Sequence, residues 1–190
     1  MYRIFPSPKQ CTFYHNTLSC TSYGSVTTAP EIEESCRAAG FDPAPLLASV
    51  FPGGFSPEGI TLTAEYVSCA PEGFQLNIAP SGIRISCGDG AGFFYALGVL
   101  VQLAAQAGGT LPCAEIADEP VLSVRGIMLD IGRDKIPSME TLRRLIDLFA
   151  SMRINHLQMY MEGFSFDYED FHYHFSHHSP KLSYTLLPLF

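Results

Sequence analysis

The chain has 190 residues, 47% of them hydrophobic and 16% charged, with a formal net charge of −8. That length and apolar content suffice for a sizeable core in one or two domains, while the acidic balance argues against nucleic acid or an anionic membrane surface as partner. No apolar run reaches the ~18 residues of a transmembrane helix, and the opening MYRIFPSPKQ lacks the apolar core of a secretory signal. Six cysteines (Cys11, Cys20, Cys36, Cys69, Cys87, Cys113) are scattered without C-x-x-C spacing. They read as reduced, mostly buried thiols, and the expected location is cytoplasmic.

Residues 1–59 are rich in Pro, Ser, Thr and Gly and give weak periodic signals. Glu31 to Ala39 is expected as a short helix, Asp42 to Leu47 as a turn into a second helical piece, and Pro52-Gly53-Gly54 as a loop. From Ile60 the pattern sharpens. Ile60, Leu62 and Ala64 alternate with Thr61, Thr63 and Glu65, the period of a half-buried strand. Phe74, Leu76 and Ile78 alternate with polar residues, as do Ile83 and Ile85 after Pro80-Ser81-Gly82, so these two strands predict a hairpin with one covered face.

Gly88-Asp89-Gly90-Ala91-Gly92 leads into a helix predicted from Gly92 to about Gln106 and stopped by Gly108-Gly109. Backbone amides at a helix start can bind anions. Here Phe93 stands where G-x-G-x-x-G needs glycine and no Gly-Lys-Ser/Thr follows, so the glycines are read as close helix packing. Leu111 to Pro120 reads as a polar, Pro-bounded connection between domains.

Val124 to Ile131 is an apolar run of strand length. Ser138 is a candidate N-cap with Glu140 in the first turn. Leu142, Leu145, Ile146, Phe149 and Met152 then share one helical face. A second apolar run, Ile154 to Met161, ends at Glu162-Gly163. A strand, a crossover helix and a strand imply a parallel βαβ unit.

Three stretches resemble the β-N-acetylhexosaminidases of glycoside hydrolase family 20. GFQLNIAPSGIRISCGDGAGFFYALGVLVQLAAQ (residues 73–106) is similar to the end of that family's small N-terminal domain. Ile116-Ala117-Asp118-Glu119-Pro120 resembles its domain junction. RGIMLDIGRDKIP (residues 125–137) resembles the first barrel strand and its loop, with Asp134 in place of the usual histidine. The similarity covers roughly residues 60–165.

The fold class the resemblance implies is α/β: a small N-terminal α+β domain over residues 1–118, a sheet with helices on one face, followed over 119–190 by a strand–helix–strand fragment of a TIM barrel. Active groups in such barrels sit at the carboxyl ends of the strands. The resemblance therefore implies substrate-binding roles for Arg133, whose planar fork suits sugar hydroxyls, for Asp130, which either orients Arg133 or only fixes the strand end, and for Glu162. It implies as partner a glycan with a terminal N-acetylhexosamine, cleaved by substrate-assisted retaining hydrolysis.

The Asp-Glu pair of that mechanism belongs after the fourth barrel strand. About 67 residues follow from Val124, against ~250 for a whole barrel, so no catalytic residue is assigned. Glu169-Asp170 and Asp118-Glu119 read as solvated loop charges. The expectation is an N-terminal portion of a glycosidase, inactive alone and able to self-associate through its incomplete barrel. The alternative is a non-catalytic carbohydrate-binding or interaction module. A His-rich tail begins near residue 171, and a reading frame interrupted there would explain it. His172, His174, His177 and His178 lack helical i, i+4 spacing and an acidic or Cys partner, so neither a metal nor any other cofactor is expected. The DNA beyond codon 190 tests the interruption: an open frame encoding the Asp-Glu strand is the expected result, and unrelated sequence there would refute it.

Overall fold

The computed structural model describes residues 2–131, 137–161 and 182–185. The chain divides into two compact units, the first ending at Val121 and the second beginning at Leu122.

The first unit is a six-stranded sheet with helices packed on one face. Its elements are β1 (Gln10–Ser19), β2 (Tyr23–Thr28), α1 (Pro30–Ala39), α2 (Ala44–Val50), β3 (Ile60–Tyr66), β4 (Phe74–Ala79), β5 (Gly82–Cys87), α3 (Gly90–Ala107) and β6 (Thr110–Asp118). The spatial order is β1-β6-β4-β5-β3-β2. The predicted hairpin is β4–β5, antiparallel from Phe74↔Cys87 to Ala79↔Gly82. β2 and β3 are parallel, joined through α1 and α2, and β3 is parallel to β5.

Two expectations are corrected. Residues 111–120 are no connection, because β6 is a mostly buried strand held between β1 and β4. Pro112 suggests a break, yet it lies beyond the β4 ladder and beside the register shift between Phe13 and Thr17 of β1. A bulge tolerates the missing donor. The helix α3 is also apolar and long enough to match a membrane span by composition, contrary to the sequence reading. Its surroundings explain that composition. Phe93, Ala96, Leu97, Leu100 and Leu103 are buried among Leu62, Leu76, Ile78, Ile85 and Ile116 of the sheet and Ile32 of α1. A helix hydrophobic nearly all round is a core helix when protein surrounds it.

Asp89 explains why α3 starts two residues earlier than its periodicity suggested. Its carboxylate accepts a hydrogen bond from the Gly92 amide at 2.7 Å and another from the Glu72 amide at 2.8 Å. The anion-binding end of the helix is thus filled by the chain's own side chain. The glycines after it permit close packing. A Cβ on Gly92 would lie 2.4 Å from the Gly73 carbonyl oxygen, and one on Gly90 would lie 2.9 Å from the Cys36 nitrogen. Farther along, Gln102 and Gln106 each make two hydrogen bonds to the main chain of the N-terminal segment, at Phe5 and Arg3 respectively, all between 2.7 and 2.9 Å. Gly108, at φ 61°, ends the helix in the left-handed conformation.

All six cysteines are free thiols. Burial, with the nearby Asp89 charge adding to it, pushes the Cys87 thiol up to about 12. Below the ordinary thiol range both folded and unfolded chains hold that proton. Between there and about 12 only the unfolded chain releases it, so stability falls as pH rises through this window.

The second unit holds β7 (Gly126–Asp130), α4 (Met139–Ser151), β8 (His156–Met161) and β9 (Leu182–Thr185). β7 and β8 are parallel, in register from Gly126↔His156 to Asp130↔Tyr160. β9 pairs antiparallel with β8, where a continuing (β/α) barrel would place a parallel neighbour. Ser138 caps α4 through the Thr141 amide, as its sequence position predicts. Phe149, Leu157 and Tyr160 are buried.

Two expectations follow for urea unfolding. Gly92→Ala should cost about 1–3 kcal/mol through overpacking, whereas Gly98→Ala, whose Cβ meets nothing within 4 Å, should stabilise by roughly 0.5–1 kcal/mol. Stability lost between pH 8 and 11 should be smaller in Cys87→Ala than in the parent chain, measured as the shift in urea midpoint.

Candidate functional site at the strand ends of the second unit

Two parallel strands give the second unit distinct poles. At the carboxyl pole, Asp130 is the last residue of β7 and pairs in register with the buried Tyr160 of β8. The Ile131 amide donates to the Tyr160 carbonyl at 2.8 Å and carries the ladder one residue past the strand. Asp130 is half-buried. Arg133 and Glu162, the other residues singled out from sequence, lie outside the described residues, as do His172, His174, His177 and His178 of the tail. The structure therefore places one of the three expected site residues, at the end of the strand where (β/α) architectures gather their chemistry.

The amino pole carries a hydrogen-bond network that sequence reading missed. Asn155 accepts from the Arg125 amide and donates through Nδ2 to the Ser123 carbonyl, both at 2.8 Å. The Asn155 amide in turn donates to the Arg125 carbonyl at 3.0 Å. The Arg125 guanidinium donates to the carbonyls of Arg153 and Leu122, each at 2.7 Å. Arg153 presents its carbonyl there because it sits at φ 60°, in the left-handed turn that ends α4. The Ile154 amide closes that turn on the Phe149 carbonyl at 2.9 Å. This network sets the register of β7 against β8 and thus where Asp130 stands. The residues were visible as Arg125-Gly126 and Arg153-Ile154-Asn155, but spacing alone does not reveal that a side chain from one strand satisfies the other's entry.

The glycine cluster at residues 88–92 is a packed junction in which Asp89 takes up the Gly92 and Glu72 amides.

The arrangement of the first unit matches known proteins. A family model described as glycosyl hydrolase family 20, domain 2, covers residues 1–119. A β-hexosaminidase of Akkermansia muciniphila is 31% identical over 93 residues, 47% of this chain and 19% of that protein. A β-hexosaminidase of Vibrio vulnificus is 27% identical over 158 residues, 83% of this chain and 18% of that protein. Both matches take in less than a fifth of the relative's length. A crystal structure of a family-20 exo-β-N-acetylglucosaminidase from Vibrio harveyi, in complex with N-acetylglucosamine, shares the fold. Its TM-score is 0.66 at 24% identity, over 81% of this chain and 24% of its own.

Arg125→Ala should lower the stability of the second unit by about 1.5–3 kcal/mol, the range for hydrogen bonds from a charged donor. Arg125→Lys should recover only part of that, since one ammonium cannot span two carbonyls as the guanidinium does. Amide hydrogen exchange in 126–130 and 156–160 reads the loss, and unchanged exchange in both variants would remove the network's assigned role.

Proposed function

The chain belongs to glycosyl hydrolase family 20, its residues 1–119 forming that family's domain 2, and we propose on this basis that it serves hydrolysis of terminal N-acetylhexosamine from glycans. The observation that carries the reading is the pairing of that domain with a parallel strand–helix–strand unit whose first strand ends at Asp130. Relatives named β-hexosaminidase and N,N'-diacetylchitobiase support the substrate class. In this reading Arg133 holds sugar hydroxyls by bidentate hydrogen bonds, Asp130 orients it through a charge-assisted bond, and Glu162 contributes a further acceptor. The cleavage itself is substrate-assisted: the acetamido oxygen attacks the anomeric carbon while a general acid protonates the leaving oxygen.

Among the described residues the second unit has no fourth barrel strand closed by an Asp-Glu pair, and in this reading the chain by itself binds without turning over. The second reading, a non-catalytic carbohydrate-binding module, shares that outcome and differs in where the sugar sits. The exposed Leu122, Val124 and Met128 of the second unit favour self-association through uncovered apolar surface. The six free thiols accord with a cytoplasmic setting.

Incubation of the purified chain with a chromogenic N-acetylglucosaminide is expected to release no chromophore above buffer. Release abolished by Arg133→Ala would show that residues 1–190 already hold the reactive acids and would refute the inactive-alone reading.

A further inference from the structure

The face of the six-stranded sheet turned away from its helices forms a recess of about 820 Å³ that the function above does not use. That volume lies within the range of small-molecule sites, which are as a rule lined mainly by apolar groups. This one is lined by polar side chains. One row crosses five strands in register: Thr12 of β1, Glu115 of β6, Asn77 of β4, Arg84 of β5 and Thr63 of β3. A second row, one pleat along, includes Gln75 and Ser86.

The charges on this face are answered within it. The Arg84 Nε lies 3.4 Å from the Glu65 carboxylate. The Glu115 carboxylate accepts from Asn77 Nδ2 at 3.5 Å. What remains is a field of short, neutral donor–acceptor groups, with Gln75, Ser86, Thr12 and Thr63 making no side-chain hydrogen bond among the described residues. A face carrying two carboxylates to one guanidinium repels phosphates and nucleic acids. It complements an uncharged ligand that presents many hydroxyls and amides. Tyr14 of β1, 49% exposed and two residues along the strand from Thr12, offers a ring on which the apolar face of a sugar can stack. From β6 to β3 the row spans about 14 Å, longer than a single sugar ring.

We propose that this sheet face is a second glycan site, one that takes an uncharged oligosaccharide bearing hydroxyl and acetamido groups, separate from the strand ends around Asp130. It holds such a chain along the row of side chains that crosses the strands. The choice of sugar rests on the hexosaminidase reading; the location does not.

The test titrates the ¹⁵N-labelled full chain with tri-N-acetylchitotriose and follows amide shifts. Saturable shifts are expected at residues 61–63, 75–77, 84–86 and 115. The double variant Gln75→Ala/Asn77→Ala should weaken binding at least ~10-fold, as should Thr63→Lys, which fills the face with a longer, charged side chain. Both positions of the double variant are exposed, so the fold should hold, and the spectra report it directly. Arg133→Ala should leave these shifts in place. Shifts confined to residues 126–161 and abolished by Arg133→Ala would overturn the sheet-face site while keeping the hexosaminidase reading. Binding insensitive to all the sheet-face substitutions, or no saturable shift at all, would also overturn it.

Discussion

A helix that is apolar on nearly every side has to be covered on most of them, and α3 imposes that requirement on the whole first unit. One flank rests on β4, β5 and β6 and the others on α1 and α2. Gln102 and Gln106 bind the N-terminal segment along its remaining side. The sheet supplies Leu76, Ile78, Ile85 and Ile116 to the contact, all at most 2% exposed. Close approach at the start of the helix is possible because Gly90 and Gly92 carry no Cβ and Asp89 satisfies two amides there. The same demand explains why the thiols of Cys36 and Cys87 hold their protons so firmly: they sit in the apolar seam that this approach creates.

With every helix of the first unit on one side, the sheet's other side is released from packing duty. Its alternating positions carry hydroxyls, amides and a few compensated charges. Solvation alone would be served as well by long lysines and glutamates. Instead the side chains are mostly short, and the face is recessed. That contrast between two faces of one sheet gives the first unit a surface on which a neutral polymer can lie.

The second unit is organised by polarity along its strands rather than across them. Its amino pole is locked by Arg125 and Asn155, which satisfy backbone groups of the neighbouring segment. Its carboxyl pole ends in Asp130. Rigidity at one end and reactive or binding groups at the other is how a parallel strand pair can position side chains without mobile supports. In the proposed reading, the carboxyl pole is where the sugar would be recognised.

Much of this was legible in the chain. Period-two alternation identified β3, β4 and β5 because each buries one face and wets the other. Ser138 and the spacing from Leu142 to Met152 identified α4 because a helix cap and an apolar stripe are local properties. β1 escaped notice because nearly all of its residues are exposed, and β6 because four consecutive positions are buried and Pro112 imitates a break. Residue patterns alone identified β3, β4, β5, α3 and the β7–α4–β8 order and put Asp130 near the close of a strand. Tertiary structure alone decided that β6 joins β1 to β4, that Arg125 serves the entry of its neighbour, and that Gln75, Asn77 and Arg84 share one open face. Those facts depend on pairing between segments distant in the chain, and hydrophobic periodicity, a property of neighbours, does not encode which partner a strand will find.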